Sequence, residues 1–393
     1  MNTKHTAQRR QHGLTLVEIM VALTISAVLV AGILQVFSGN RQTYRLQEGM
    51  ARLQENARFA LEFMAQDIRQ AGYRGCIRNL SGVNNGLNNP SPSFSPATGI
   101  QGWEFTGGGS GTAPGDTYDL NATDAAPVTT NGNDAGWSGW TPDSGNALQV
   151  SGSSDGPTVM RGSDILRIWH GGTATLEVNS ITPGNTGGQA TIINVEQSNA
   201  IQGNDIILVS DCEAADWLQV CSTATGPTVD GQPTTDLIAS SACSPGNDPN
   251  KPPASFAANG EVMQLQAGTY FVGKKGGDAQ NPPALYYATL ASDGTMEGPQ
   301  ELIEGVDSMQ ILYGEDTDLD GNVDSYRTAD AVTDWNNIIN VKLSLLLRTV
   351  EEVDTRTHGG NYEVNGTTIN LVANDRRPRR VVTTTIALRN RTG

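Results

Sequence analysis

Apolar side chains run almost without a break from Leu14 to Phe37, LTLVEIMVALTISAVLVAGILQVF, where Glu18 is the single charge in 24 residues. As a helix this stretch spans roughly 36 Å, more than the ~30 Å hydrocarbon core of a bilayer. The pattern then changes character without stopping. Leu46, Met50, Leu53, Ala57, Ala60, Met64, Ile68 and Ala71 recur at steps of three and four, with Arg52, Glu55, Arg58, Glu62 and Arg69 off that stripe. One helix from about Thr15 to Gln70 is expected, more than roughly 80 Å long, ending near Gly72 or Gly75. Its first half is apolar on every side and belongs in lipid or a helical bundle. Its second half is apolar on one face and belongs against a globular body.

After Gly75 the periodicity becomes that of strands. Residues 76–160 are rich in Gly, Asn, Ser, Pro and Thr, which predicts long loops around short strands or a variable insertion. Strands are expected at Asp164–Trp169, Thr175–Val178, Ala190–Val195, Asp205–Val209, Val262–Gln266, Thr269–Val272, Leu285–Leu290 and Met309–Tyr313. The strongest is Ile338–Val350, where Ile339, Val341, Leu343, Leu345 and Leu347 alternate with Asn340, Lys342, Ser344 and Arg348; Val381–Leu388 adds a last one. The expected class is α+β, with antiparallel sheet packed on the C-terminal half of the helix.

Composition divides the chain at the same place. Residues 1–75 carry nine basic and five acidic side chains, whereas the remaining 318 carry 16 and 36, within an overall charge of −16. All 18 prolines lie from Pro90 onward. The acidic balance argues against general nucleic-acid binding, which needs a basic face. Four cysteines without C-x-x-C spacing and four isolated histidines (His5, His12, His170, His358) argue against zinc ribbons and His-rich metal sites.

Lys4, Arg9 and Arg10 precede the apolar run, as in a secretory signal peptide. That signal has an apolar region of only about 7–15 residues and a small-residue cleavage site. Here the run is longer and continues into Gln35-Val36-Phe37, so a membrane helix with its basic end in the cytoplasm is the better reading. Glu18 is then the costly residue, because a carboxylate in a membrane helix is unfavourable by about 2.5–3.5 kcal/mol on insertion scales. A cut after Gly13 would free the amine of Leu14 one turn away, and amine and carboxylate could neutralise each other within or between helices.

At Gly13-Leu14-Thr15-Leu16-Val17-Glu18 the sequence resembles the class III signal of type IV pilins and type II secretion pseudopilins. Ala71-Gly72-Tyr73-Arg74-Gly75-Cys76, Val209-Ser210-Asp211-Cys212 and Thr385-Ile386-Ala387-Leu388-Arg389-Asn390 resemble minor pilins of the PilW kind. The resemblance implies cleavage between Gly13 and Leu14 by a prepilin peptidase, N-methylation of Leu14, and a role for Glu18 in docking onto a neighbouring subunit. It further implies an inner-membrane, single-pass precursor with a periplasmic body, later part of the pilus and placed at its tip. The implied partners are other minor pilins and the major pilin, a tip adhesin and the inner-membrane assembly platform, and the implied role is priming of filament assembly without enzymatic activity. The domains would be a leader 1–13, a transmembrane or filament-core helix 14–37, its amphipathic continuation 38–75 and a β-rich body 76–393. A pseudopilin of the GspJ kind is the close alternative.

A body outside the cytoplasm can oxidise its thiols, so Cys76, Cys212, Cys221 and Cys243 can form two bridges in three pairings. Proximity along the chain favours Cys212–Cys221, leaving Cys76–Cys243. Asp316-Thr317-Asp318-Leu319-Asp320-Gly321-Asn322-Val323-Asp324 fits the first nine positions of an EF-hand loop, with oxygen ligands at 1, 3, 5 and 9 and Gly at 6. Asn322 would give its backbone carbonyl. Arg327 stands where the bidentate Glu belongs and a strand precedes the loop, so the expectation is a loop-only Ca²⁺ site completed by Glu315, Asp330 or water. A simple acidic Asp-Gly hairpin is the competing reading. Gly152-Ser153-Ser154-Asp155-Gly156 matches a hydrolase elbow, which would make the chain a membrane-anchored periplasmic hydrolase using Ser154. Pro157 and the lack of a following helix argue against it. Gly107–Gly111 lacks the Lys and Ser/Thr of a phosphate loop. Arg376, Arg377, Arg379, Arg380, Arg389 and Arg391 form a basic cluster read as an intramolecular or subunit contact rather than a DNA site.

Overall fold

Thr15 opens the helix. Its hydroxyl accepts the Glu18 N–H at 3.3 Å while Thr15 N–H donates back to the Glu18 carboxylate at 3.4 Å, a capping box. A single α-helix then runs Leu16–Gln70, 55 residues, or roughly 82 Å at 1.5 Å per residue. The computed structural model describes residues 15–77, 83–88, 98–106, 113–120, 140–141, 157–184, 189–244, 246–251, 260–275, 281–290, 296–371 and 375–391.

The two halves of the helix meet different surroundings. Leu16, Val28, Ile33 and Phe37 are each more than half exposed, whereas Leu53, Ala57, Ala60, Met64, Ile68 and Ala71 are buried and Leu46 and Met50 half-buried. The stripe read from the sequence is therefore the packed face. Burying each of Leu53, Met64 and Ile68 contributes about 1.5–3 kcal/mol. Phe63 sets its ring edge-on to Tyr270 and Tyr287, and the Tyr270 hydroxyl donates to Asp67. Gly72, at φ +73°, turns the chain after Gln70, and its N–H donates to Trp169 O at 2.8 Å.

Two sheets receive this face. The smaller has four antiparallel strands in the order Ser325–Arg327, Val306–Glu315, Ile338–Arg348, Arg379–Ala387. The larger is built on two long strands, Ile165–Thr182 and Glu261–Lys275, which pair antiparallel with a bulge between Met263 and Leu265. The sequence breaks each of these into two pieces; Gly171, Gly172 and Gly268 interrupt the apolar pattern, but the ladder carries on through them. Glu261–Lys275 pairs with Ile206–Ser210 at one end and Ala284–Leu290 at the other. One core accordingly joins the helix stripe to Tyr270, Phe271, Ile311, Leu343, Leu345 and Leu347, while a second collects Leu176, Ile193, Val195, Ile207, Leu237 and Val262. Within 76–160 the described strands are short, from Val83–Asn85 to Pro157–Val159. The hairpin Asn361–Val364 and Thr367–Leu371 joins Thr117–Leu120 in a third sheet, the last pair parallel. Helix plus antiparallel-rich sheet is the α+β class expected.

Candidate assembly and metal-binding sites

The apolar half of the helix is long enough to cross a membrane and none of its most apolar stretch is buried in the body. Glu18 sits at its start, held by the Thr15 cap, and its carboxylate also accepts the Thr15 hydroxyl at 3.4 Å. Gly13 and Leu14, the expected cleavage and methylation positions, lie outside the described residues, as does Gly152–Gly156 with Ser154.

The three downstream segments quoted above come together where the helix ends. Asn390 Nδ2 donates to Gln70 O at 3.4 Å and Ala71 O at 3.5 Å, and Gly171 N–H donates to Tyr73 O at 2.7 Å. Arg391 donates to Ile338 O at 3.2 Å and to the carbonyls of Trp335 and Thr98. Gly99, at φ +69°, is pressed on Gly72; a Cβ there would stand 2.4 Å from the Gly72 Cα. Cys76 is bridged to Cys212 and Cys221 to Cys243. The pairing favoured by proximity is therefore wrong. Cys212 and Cys221 flank opposite ends of the strand Ala215–Gln219, so they are separated by roughly 17 Å of extended chain, beyond the ~7 Å Cα limit of a disulfide.

The acidic segment is the loop of a hairpin, between Val306–Glu315 and Ser325–Arg327. Asp316, buried, accepts the N–H of Gly321 at 2.8 Å and of Asp320 at 3.2 Å, while Gly321 turns at φ +87°. Carboxylate oxygens of Asp316, Asp318 and Asp324 lie within 4.8 Å of one another. Asp320 is outside that group and accepts the Asn322 N–H at 2.8 Å. Partial desolvation first, then the charges of Asp320, Asp324 and Asp316, push the Asp318 carboxyl above its ordinary value. The Asp324 carboxylate, which accepts the Thr317 hydroxyl and N–H, is held below it. A cluster of hard carboxylate oxygens fits the donor chemistry of Ca²⁺. Glu315 and Asp330 do not complete the set. Glu315 is buried against Arg327 at 2.7 Å and accepts the Asp334 N–H, and Asp330 accepts the Thr328 hydroxyl at 2.6 Å. Arg327 thus serves the Glu315 charge, which accounts for an arginine at the place of a ligand.

The family model described as Type IV Pilus-assembly protein W matches residues 269–390, and the one described as the prokaryotic N-terminal methylation motif matches residues 8–34. The chain is a PilW-like, prepilin-type protein. No curated protein and no solved structure matches it. The methylation-motif match spans Gly13, Leu14 and Glu18; the PilW match takes in the whole four-stranded sheet, the acidic loop and the Asn390 contact at the helix end. The chain is thereby type IV pilus-related, pilin-like and membrane-anchored through its N-terminal helix.

Within the matched region and one residue beyond it, the arginine cluster divides. Arg379 donates to Asp307 at 2.7 Å and Asp375 at 2.6 Å, Arg348 lies 3.4 Å from Asp307, and Arg377 donates to Asp375 at 3.1 Å. Burial works against the Asp375 charge, but the hydrogen bond and charge of Arg379 outweigh it and hold the carboxyl below the ordinary range. Arg377, Arg379 and Arg391 are thus used inside the body. Arg376, Arg380 and Arg389 are exposed. No spacing signals either partner: Asp307 lies 72 residues from Arg379 and meets it through strand register, and Asp375 lies four residues before it in the segment leading into the strand.

Proposed function

We propose that this chain is a minor pilin that takes part in priming type IV pilus assembly as part of a tip complex. The observation that carries the reading is the unpartnered apolar half-helix with one carboxylate at its cap, directly after Gly13-Leu14, on a chain matching both family models. Before assembly the helix anchors the chain in the inner membrane with the body in the periplasm. A prepilin peptidase cuts after Gly13, the Leu14 amine is methylated, and in the filament the helix packs among those of other minor pilins and the major pilin. The assembly platform and a tip adhesin are the further partners of this reading. Burying a face that is otherwise lipid-solvated favours helix bundling only if Glu18 finds a cation, and a new terminal amine supplies one. The acidic loop in this reading holds Ca²⁺ through Asp316, Asp318 and Asp324 and stiffens the hairpin.

Mass spectrometry of the mature N-terminus tests the reading directly. Methylated Leu14 is expected, together with loss of pili and retained membrane insertion in Glu18→Ala. An intact Met1, a cut beyond Phe37, or normal piliation by the variant refutes it.

A further inference from the structure

The strand Arg379–Ala387 is an edge of the four-stranded sheet: it pairs with Ile338–Arg348 on one side and with no other strand among those described. Leu388 N–H donates to Ile339 O at 2.9 Å, toward the sheet. Antiparallel ladders alternate, so the N–H and C=O groups of Val381, Thr383, Thr385 and Ala387 face outward. Beyond this edge lies a groove of about 620 Å³, walled by Arg380, Val382 and Thr384 of the strand and by the flank of the helix. Ala57, Leu61 and Ala65 give it an apolar floor, and Arg58, Glu62 and Arg69 a charged rim.

Strands in a sheet lie about 4.7–4.9 Å apart, so one more strand on this edge would run along that groove over the helix flank. Its backbone would meet the outward donors and acceptors, and its groove-facing side chains would meet the apolar floor and the arginines. Three arginines line the groove against one glutamate, Glu62, which lies 3.9 Å from Arg58. Arg69 and Arg380 have no ion-pair partner among the described residues. On a chain of net charge −16 this is a local excess of positive charge beside an open strand edge.

We propose that this edge and groove bind an extended acidic strand presented by another protein chain, by β-strand addition. The described acidic edge strand of this chain itself, Met296–Glu304, is a poor occupant. It carries Pro299, which has no N–H to offer, and Glu301 accepts the Tyr286 hydroxyl at 3.1 Å. The inference deepens the subunit reading by naming the chemistry of a partner and rests on it. Its own test is separate, because the peptide assay and the N-terminal mass spectrum fail independently.

The full chain in detergent micelles is titrated into a labelled short peptide that alternates threonine with glutamate and valine, read by fluorescence anisotropy. Binding is expected for this peptide and not for its lysine counterpart. Methylating alternate peptide nitrogens removes binding. Arg69→Glu with Arg380→Glu, two surface changes, weakens it about tenfold. Thr385→Pro, which deletes one outward N–H, weakens it with unchanged circular dichroism and thermal midpoint. No binding, equal binding of the lysine peptide, or indifference to N-methylation overturns the proposal. A dimer in sedimentation that the paired arginine variant dissociates also overturns it, by assigning the edge to a second copy.

Discussion

Removing the Cys76–Cys212 bridge should weaken the body more than removing Cys221–Cys243. The first closes a loop with a sequence separation of 136, the second one of 22. The loop-entropy relation gives about 5 kcal/mol for the longer loop and about 3.4 kcal/mol for the shorter. Folded domains are stable by only about 5–15 kcal/mol, so either loss is large. The longer bridge has a second consequence. It ties the turn after the helix to the strand Ile206–Ser210, close to Gly171 and Tyr73, so its loss also loosens the seat of the helix on the body.

The measurement is urea unfolding of Cys76→Ser/Cys212→Ser and of Cys221→Ser/Cys243→Ser in detergent, followed by the emission of the buried Trp169 and Trp217. With a slope of about 3 kcal/mol per molar urea, the midpoints should fall by about 1.7 M and about 1.1 M. Each double variant should show no free thiol, because it removes one whole bridge. The pairing Cys212–Cys221 with Cys76–Cys243 would instead leave two free thiols in both variants. Free thiols, or a larger fall for the shorter loop, would refute the reasoning.

Ca²⁺ added to the chelator-treated chain should raise its thermal midpoint, by about 2.7 kcal/mol of stability at a hundredfold excess over Kd. Asp318→Ala with Asp324→Ala should abolish the shift and Asp320→Ala should retain most of it; no shift, or equal shifts in both, sinks the site. Asp164 is buried, accepts the Ile311 N–H at 2.7 Å, and is pushed up to about 8, by desolvation before any other cause. A carboxyl raised on folding contributes stability in acid that is lost as pH rises from the ordinary carboxylate range through about 8. The thermal midpoint should therefore fall from about pH 4 to about pH 8 and level off above, and Asp164→Asn should flatten the slope; parallel slopes would exclude Asp164 as the cause.

The helix was legible because its signal is local and redundant: the long apolar run, eight stripe positions and two glycines all agree. The strand Ile338–Arg348 was legible for the same reason, its apolar positions alternating across one ladder. The strand Ala215–Gln219 was not, because all five residues are buried and Asp216 and Gln219 interrupt any alternation. Thr234–Ala239 and Thr367–Leu371 lack a clean apolar alternation, and each takes one of its two partners from far along the chain, Thr191–Glu196 and Thr117–Leu120. Disulfide connectivity was illegible for a deeper reason. Cys76 reaches Cys212 by steps that no spacing records: Gly72 and Tyr73 bond to the strand Ile165–Thr182, that strand pairs with Glu261–Lys275, and Glu261 pairs with Ser210. Of the acidic loop, the turn at Gly321 was readable from the motif; that Glu315 belongs to Arg327 was not.

Two open features among the described residues differ in what they lack. The edge strand lacks a strand partner on its outer side among the described residues and is rimmed by cation, so water can satisfy its outward groups. The apolar half-helix cannot be satisfied by water at all, and its one acid is held by weak contacts, the Thr15 N–H and hydroxyl both at 3.4 Å. Cleavage after Gly13 in the proposed maturation leaves this cap intact and adds a cation one residue before Thr15. The Glu18 carboxylate then has a stronger candidate partner than Thr15, either on its own chain or across a helix contact. In a low-dielectric bundle the cross-helix pair would resist axial sliding, since each step apart separates charges that water no longer screens. A subunit with Glu18→Ala would still insert and could still present its body. What it would lose is the one polar contact that fixes its height against a neighbour, so the defect should fall on assembly rather than on folding.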